Sequence, residues 1–328
     1  MPRPKVFITR KIPQAGIDLL AETCDVEVYS EDKPLVRQEL LEKVAEVDGV
    51  IGLLTDKINA EFFDAAKNLK GYANYAVGFD NIDVAEATKR GLPVSNTPEV
   101  LTLATAELAW TLLFSVARRV VETDAIMRSG EWPGWGPLQF IGADVTGKTL
   151  GIVGAGRIGT AMGRMSRGFD MRVLYTTGSR PNKELEQEVG GERVDFDTLL
   201  AESDFISVHA PLNEATKHLF NAEAFKKMKN TAFLINTGRG PVIKEDDLVD
   251  ALTSDEIGGA ALDVYEFEPK MAEGLAQCAN TVLLPHIGSA TTSSRRDMAL
   301  LAAENLLAMI NGGEPPTCLN PEVLAPGG

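Results

Sequence analysis

The stretch Thr149-Leu150-Gly151-Ile152-Val153-Gly154-Ala155-Gly156-Arg157-Ile158-Gly159 decides the fold of the second half of this chain. It joins an apolar run to a G-x-G-x-x-G fingerprint, which a helix-patterned stretch and a second apolar run, Arg172-Val173-Leu174-Tyr175-Thr176, follow. In such a βαβ unit the first glycine permits a tight turn, the second lets backbone approach a pyrophosphate, and the third lets helix pack on strand. The sequence therefore predicts a dinucleotide site with its phosphates at a helix N-terminus.

The position of the fingerprint predicts two domains in the 328 residues. A segment of domain size precedes Gly154, so the dinucleotide fold does not begin the chain. The last helix-patterned segment, residues 289–311, follows the final strand without a partner strand of its own. We therefore expect it to cross back onto the first domain. The prediction is a first domain of residues 1–100 plus 288–328, interrupted by a dinucleotide-binding domain of residues 101–287.

Short apolar runs alternate with helix-patterned segments along the chain, which is typical of parallel α/β domains. The segment 102–128 is rich in Ala and Leu and lacks Pro and Gly, so it predicts one long helix. The predicted strands are 5–9, 25–29, 49–54, 71–77, 92–96, 149–153, 172–176, 204–209, 232–237, 260–265 and 281–285. The other predicted helices are 14–22, 35–47, 60–67, 84–89 and 289–311.

Composition and charge exclude several classes of function. The chain is 44% hydrophobic and 24% charged, with no apolar run long enough to cross a membrane, which predicts a soluble protein. A net charge of −15 argues against nucleic acid or an anionic membrane as partner. The three cysteines lack metal-type spacing, so we expect no metal site, no disulfide framework and a cytoplasmic location. An anionic substrate would need a local site of arginines and backbone amides.

Polar residues follow three predicted strands, and in open α/β sheets ligands bind at that edge. Arg239 follows one strand, Glu268 the next and His286 the last. An arginine binds a carboxylate, a histidine exchanges a proton with a carbonyl or alcohol, and a glutamate holds that histidine, so the three together suit a 2-oxo acid. Each also has a structural interpretation, as a solvated charge, a surface acid and a helix-terminal residue. His209 is interpreted as lining a cofactor cleft and His218 as a surface helix residue.

Six motifs in order resemble the D-isomer-specific 2-hydroxyacid dehydrogenase family over essentially the whole chain. Besides the fingerprint they are Ala76-Val77-Gly78-Phe79-Asp80-Asn81-Ile82-Asp83, Thr105-Ala106-Glu107-Leu108-Ala109, Asn236-Thr237-Gly238-Arg239-Gly240, Ala261-Leu262-Asp263-Val264-Tyr265-Glu266-Phe267-Glu268-Pro269 and Pro285-His286-Ile287-Gly288-Ser289. The resemblance implies a Rossmann domain inserted into a flavodoxin-like substrate domain, both with doubly wound parallel sheets. The loop Leu53-Leu54-Thr55-Asp56 and the segment 132–138 resemble glyoxylate and hydroxypyruvate reductases most.

The resemblance also implies roles for individual residues. Arg239, Glu268 and His286 would be catalytic, and Val77 and Gly78 would offer backbone amides to the substrate carboxylate. The implied substrate contacts are Leu53, Val77, Gly78, Arg239, His286 and Trp135. The cofactor contacts predicted from the fingerprint and the resemblance are Thr105, Gly154, Gly156, Arg157, Ile158, Gly159, Gly178, Ser179, Arg180, His209, Pro211, Thr216, Thr237, Gly238, Asp263 and Gly288.

The end of the second strand of the dinucleotide fold predicts the cofactor. An NAD-selective site usually carries an acid there, about 20 residues beyond the glycines, for the ribose 2′-hydroxyl. This chain instead reads Tyr175-Thr176-Thr177-Gly178-Ser179-Arg180-Pro181, which supplies a guanidinium and hydroxyl donors for a 2′-phosphate. We expect NADP(H) to be preferred, the alternative being an exposed Arg180 and a site that accepts NAD(H) equally.

The function expected is reduction of a small 2-oxo acid, glyoxylate or hydroxypyruvate, by a nicotinamide-dependent enzyme. The alternatives are another specificity within the family (D-lactate, D-glycerate or phosphite) and a nucleotide-sensing regulator without turnover. Family members are usually homodimers, and Trp132 and Trp135 are interpreted either as reaching the partner's active site or as dimer-interface anchors.

Overall fold

The computed structural model describes residues 2–178 and 180–324. Contacts between Cα atoms divide the chain into two compact units, Met1–Leu101 with Ser289–Gly328, and Thr102–Gly288. Within the described residues, no helix has the length and apolar character needed to span a membrane. The strands are β1 Lys5–Ile8, β2 Asp25–Val28, β3 Gly49–Gly52, β4 Gly71–Asn74, β5 Val94–Ser95, β6 Thr149–Val153, β7 Arg172–Thr176, β8 Glu192–Arg193, β9 Phe205–Val208, β10 Phe233–Asn236, β11 Gly259–Leu262 and β12 Thr281–Leu283. The α-helices are α1 Gln14–Ala21, α2 Arg37–Lys43, α3 Ala60–Ala65, α4 Val84–Lys89, α5 Thr102–Ala117, α6 Val120–Ser129, α7 Arg157–Met165, α8 Lys183–Val189, α9 Phe196–Glu202, α10 Ala222–Lys227, α11 Glu245–Thr253 and α12 Thr292–Ile310.

The sheet of the first unit has the strand order β2-β1-β3-β4-β5, with all neighbouring strands parallel. This is the flavodoxin-like order, in which the direction of winding reverses between the first and third strands. Phe7, Phe62 and Tyr72 fill one side of the sheet and are fully buried.

The C-terminal helix α12 completes this first unit. It packs on α1 and on strands β3 and β4. The packing is close because glycines face it: a Cβ at Gly16 would lie 2.5 Å from the Ala299 carbonyl oxygen, and one at Gly71 would lie 2.6 Å from the Met309 Cβ. Residues from both ends of the chain therefore build one hydrophobic core.

The sheet of the second unit has the strand order β12-β11-β10-β9-β6-β7-β8, and its strands are parallel. The order reverses at β6, the strand that the fingerprint follows, as in a Rossmann fold. Both sheets confirm the predicted class, two doubly wound parallel α/β domains.

The three fingerprint glycines have the backbone roles that the motif predicts. Gly154 has φ +95°, and a Cβ there would lie 2.4 Å from the Ala210 nitrogen. A Cβ at Gly159 would lie 2.4 Å from the Gly154 carbonyl oxygen, so α7 packs directly on the turn. Gly156, just before α7, is exposed and has open space where a side chain would stand. The turn therefore fits a pyrophosphate at the N-terminus of α7.

The prediction of one helix over residues 102–128 is wrong, because two helices, α5 and α6, occupy it. Arg119 adopts a left-handed conformation with φ +54° between them. The Ala117 carbonyl, which would accept the helical hydrogen bond from Val121, accepts instead from the Ala143 N–H at 2.8 Å. A distant segment thus ends α5, although its sequence favours helix throughout.

Several predicted strands run past their true ends. β4 ends at Asn74, not at residue 77, and β10 and β11 end at Asn236 and Leu262. In each case the chain leaves the sheet shortly before residues of the predicted site. The short β8 and the helices α8 to α11 were not predicted.

Candidate active site

Arg239, Glu268 and His286 follow three adjacent strands of the second sheet, β10, β11 and β12. Because these strands are parallel, their carboxyl ends lie at one edge. The structure brings Glu268 and His286 into direct contact there. Glu268 Oε2 lies 2.9 Å from His286 Nδ1, and both side chains are about 30% exposed, at 31% and 30%. Since Nδ1 is engaged, Nε2 is the nitrogen that is left to exchange a proton.

Glu268 is held as a carboxylate by donors on both of its oxygens. The Tyr265 N–H donates to Oε1 at 3.1 Å, while His286 engages Oε2. Burial by itself would raise the pKa of Glu268, but the hydrogen bond and charge of His286, together with the Tyr265 N–H and the Arg239 charge, lower it below its usual value of 4.5. The carboxylate form is therefore available to orient His286 and to stabilise its positive charge.

The turn that carries His286 is anchored by Asp263, which is buried at the end of β11. Its two carboxylate oxygens accept from the N–H groups of Ile287 and Gly288, each at 2.7 Å. Thr105 of α5 donates its hydroxyl to the Gly288 carbonyl at 3.2 Å. His286 itself has φ +55°, a conformation that ordinary residues seldom adopt. Thr105, Asp263 and Gly288, predicted as cofactor contacts, thus hold the turn of the candidate proton donor.

The loop that carries Arg239 is braced by Asn236, the last residue of β10, which sequence reasoning did not single out. Its side-chain amide donates to the Arg239 carbonyl at 3.1 Å and accepts from the Gly238 N–H at 3.0 Å. Arg239 Nη1 contacts the Gly238 carbonyl at 3.1 Å. Asn236 is fully buried, and in the sequence it stands at the end of an apolar run two residues before a glycine, a pattern that could have identified it.

The predicted cofactor contacts His209, Pro211 and Thr216 follow β9, and each takes part in a hydrogen bond there. His209 Nε2 lies 2.9 Å from Ser207 Oγ, and its Nδ1 lies 3.4 Å from Thr237 Oγ1. Burial lowers the pKa of His209 to about 4, so the ring is neutral at physiological pH. Thr216 donates its hydroxyl to the Pro211 carbonyl at 2.6 Å, which closes the turn after the strand.

The turn after β7 holds the residues predicted to select the cofactor. Gly178 and Arg180 are exposed there, and Ser179 lies outside the described residues. A second arginine, missed in the sequence, reaches the same turn: Arg193 of β8 donates from Nη2 to the Gly178 carbonyl at 2.8 Å. A cavity of about 550 Å³ beside it is lined by Thr176, Thr177, Arg193, Val194, Asp195 and Thr198.

Two further predicted cofactor contacts, Arg157 and Ile158, lie in the first turn of α7. Arg157 is exposed and Ile158 is partly buried.

In the first unit, the predicted substrate contacts lie in loops held by side-chain amides. Asn96 donates to the Val77 carbonyl at 2.7 Å, and Asn74 donates to the Gly78 carbonyl at 2.9 Å. In the part of the chain that the structure describes, the N–H groups of Val77 and Gly78 donate to no protein acceptor. The Leu53 carbonyl accepts from Asn81 at 3.2 Å. Two neighbouring N–H groups are thus presented by a braced loop, which suits a carboxylate.

The structure describes the surroundings of two residues interpreted from the sequence, His218 and Trp135. His218 is not a surface helix residue: it lies in a turn with φ +52°, and its Nε2 is 2.6 Å from Glu266 Oε1. Trp135, predicted as a substrate contact, is 82% exposed.

The chain is similar to known proteins over nearly its whole length. The family model described as "D-isomer specific 2-hydroxyacid dehydrogenase, NAD binding domain" matches residues 110–288. A glyoxylate reductase of Thermococcus onnurineus is 52% identical over 326 residues, covering 98% of this chain and 97% of that protein. A crystal structure from Thermus thermophilus is 41% identical with a TM-score of 0.90, covering 96% of this chain and 99% of that one. An NADPH-dependent glyoxylate/hydroxypyruvate reductase of Sinorhizobium meliloti, solved with NADP and malonate, is 30% identical with a TM-score of 0.85 and covers 97% of each chain.

Proposed function

Because this chain belongs to the D-isomer-specific 2-hydroxyacid dehydrogenase family, we propose that it reduces a small 2-oxo acid, glyoxylate or hydroxypyruvate, to the 2-hydroxy acid. The observation that carries the proposal is the contact of 2.9 Å between Glu268 and His286, at the sheet edge where Arg239 also stands. An acid that holds an imidazole beside a guanidinium can bind a carboxylate and protonate a ketone oxygen. A glyoxylate reductase with 52% identity supports the choice of substrate.

Each catalytic residue has a distinct part in this mechanism. Arg239 binds the substrate carboxylate and polarises the ketone, since a planar guanidinium presents several donors at once. His286 gives its Nε2 proton to the oxygen as it becomes an alkoxide. Glu268 keeps the ring oriented and stabilises the imidazolium, because it engages Nδ1. The backbone amides of Val77 and Gly78, in the first unit, keep their predicted role as donors to a carboxylate. Oxidation of the hydroxy acid uses the same groups with the proton moving in reverse.

The fingerprint turn fits a nicotinamide dinucleotide. Gly156 leaves open space before α7, whereas side chains at Gly154 and Gly159 would strike backbone, so the cradle is formed by main chain. The residues proposed to hold the dinucleotide are those predicted from the sequence, from Thr105 to Gly288. The bound cofactor would supply the hydride. The protein supplies orientation, a proton and charge stabilisation.

NADP(H) is the preferred cofactor in this proposal, with NAD(H) accepted less well. None of residues 177–181, directly after β7, is acidic, while Arg180 is exposed in the turn and Arg193 contacts the Gly178 carbonyl at 2.8 Å. Guanidinium groups favour a 2′-phosphate, and a carboxylate would repel it. The structural neighbour from Sinorhizobium meliloti is NADPH-dependent, which supports the same preference.

The cofactor proposal is tested by Arg180→Ala, with Lys183→Ala as a nearby control in α8. A hydrogen bond to a charged group contributes about 1.5–3 kcal/mol, so the variant should use NADPH about 10- to 150-fold less well and NADH almost as well as the wild type. The measurement is kcat/KM for each cofactor at saturating glyoxylate. A wild-type preference for NADH would refute the cofactor proposal and leave the reaction standing.

The substrate proposal is tested with a panel of 2-oxo acids and both reduced cofactors. Glyoxylate and hydroxypyruvate should give higher kcat/KM than phenylpyruvate. Equal kcat/KM for phenylpyruvate would contradict the proposal for small acids. Cofactor binding without steady turnover of any acid would favour a nucleotide-sensing regulator instead.

A homodimer is the proposed assembly. Helix α6 buries none of its residues, and apolar side chains around it are exposed, among them Val121, Met127, Trp135, Leu138 and Ile141. Exposed apolar side chains in such number within one segment of the chain favour a protein interface. Multi-angle light scattering should give twice the chain mass, and Val121→Glu should shift the protein toward monomer. A monomeric wild type would refute the assembly.

A further inference from the structure

His218, Glu266 and Glu245 form a hydrogen-bonded group outside the residues assigned above. His218 Nε2 lies 2.6 Å from Glu266 Oε1, and the Glu266 side chain is only 11% exposed. The two residues stand 48 positions apart in the chain. We call these three residues, His218, Glu266 and Glu245, the His218 clamp.

The clamp is attached to the loop that carries Arg239. The His218 N–H donates to the Pro241 carbonyl at 2.8 Å, two residues after Arg239. The pairing continues, because the Phe220 N–H donates to the Val242 carbonyl at 3.0 Å. The backbone around His218 therefore runs beside the end of the Arg239 loop.

The clamp is also attached to the segment that carries Glu268. Glu266 lies two residues before Glu268, and its Oε2 accepts from the Glu245 N–H at 3.1 Å. Glu245 is buried, and its carboxylate accepts in return from the N–H groups of Glu266 and Ala272. The chain is thus tied down on both sides of Glu268.

His218 is the member of the clamp whose side chain contacts Glu266 directly. Burial raises the pKa of Glu245, and the nearby Glu266 carboxylate raises it further. Lys244 is paired with Asp247 at 2.6 Å, which leaves His218 as the direct side-chain partner of Glu266. An apolar side chain at position 218 would remove this hydrogen-bond partner from a largely buried carboxyl group, which is unfavourable.

We propose that His218 is a positioning residue that, through Glu266, holds the Glu268 segment in register with the Arg239 loop. The inference rests on the proposed catalytic roles of Arg239 and Glu268. It predicts that loss of the clamp slows turnover, because small misplacements of reacting groups cost up to about a hundredfold in rate. Nucleotide binding should be affected less than turnover, since the fingerprint turn is built by separate residues.

The test compares His218→Ala with His218→Gln, whose amide can still donate to Glu266. At saturating glyoxylate, His218→Ala should lower kcat by roughly ten- to a hundredfold while the Kd for NADPH, from fluorescence titration, changes far less. His218→Gln should recover most of the loss. Glu266→Gln combined with His218→Ala should be no slower than the slower single variant, because both act on one contact. Lys227→Ala, which removes a surface ion pair with Asp197 at 2.7 Å, is the control.

Hydrogen exchange provides a readout that does not depend on activity. His218→Ala should lower the protection of the Val242, Glu266 and Ala272 amides together. Loss of protection confined to residues next to 218, or kcat equal to that of the wild type, would overturn the clamp. The clamp would also be overturned if His218→Gln lowered kcat as much as His218→Ala does and both variants lost NADPH affinity to a matching degree. If the wild-type protein shows no turnover while His218→Ala still lowers the protection of the three amides, the proposed reaction is overturned and the clamp is not.

Discussion

Replacing Glu268 by Gln tests the central contact of the proposed site with the smallest possible change of shape. In the structure the two Glu268 oxygens serve different donors: Oε1 accepts from the Tyr265 N–H at 3.1 Å and Oε2 contacts His286 Nδ1 at 2.9 Å. Gln has one amide oxygen, so it can accept from only one of them. The other donor then faces an NH₂ group, and the negative charge beside His286 is lost.

The magnitude follows from the contact that is lost. A hydrogen bond to a charged group contributes about 1.5–3 kcal/mol, and about 1.4 kcal/mol corresponds to a factor of ten in rate. If the whole contribution stabilises the imidazolium while His286 acts, Glu268→Gln should lower kcat about 10- to 150-fold. Glu268→Ala removes both acceptors and should be slower still. The KM for glyoxylate should change little, because Arg239 and not Glu268 binds the carboxylate.

The assay is reduction of glyoxylate, followed by the absorbance of the reduced nicotinamide at saturating cofactor. Glu202→Gln is the matched control, since Glu202 forms a surface ion pair with Arg172 at 2.6 Å in the same unit. It should retain wild-type kcat. Wild-type kcat in Glu268→Gln would refute the orienting role of Glu268, and so would a large rise in KM with kcat unchanged.

Other predictions concern Arg239, the glycine turn and His209. Arg239→Ala should raise KM and lower kcat together, because the guanidinium meets both the bound carboxylate and the developing alkoxide; a change in cofactor Kd alone would reassign it. Gly159→Ala should lower the free energy of unfolding by about 1–3 kcal/mol, because its Cβ would lie 2.4 Å from the Gly154 carbonyl oxygen. Gly156→Ala should leave that free energy nearly unchanged and weaken NADPH binding, since its side chain would project into open space; equal effects of the two substitutions in denaturant titrations would contradict this. Burial lowers the pKa of His209 from 6.5 to about 4, so the unfolded chain binds its proton first and this residue makes stability fall as the pH drops from 6.5 toward 4. The melting temperature of His209→Gln should therefore fall less over that pH range, and an identical fall would refute the argument.

The fold class and the candidate catalytic residues could be predicted from sequence because their signals are local. The fingerprint glycines are needed for backbone reasons that act within a few residues, and strand periodicity places Arg239, Glu268 and His286 at the carboxyl ends of parallel strands. The family resemblance, which rests on such motifs, is confirmed.

What only the tertiary structure decided depends on contacts between distant segments. Helix propensity runs unbroken from α5 into α6, yet the Ala143 N–H takes the Ala117 carbonyl and ends the first helix. The sequence around His218 is interpreted as a surface helix, yet folding places its ring 2.6 Å from Glu266, 48 residues away. Local sequence determines backbone preference and periodicity, since both act between neighbours along the chain. Which buried acceptor meets which donor is settled only by packing, because folding brings together polar groups that lie far apart along the chain.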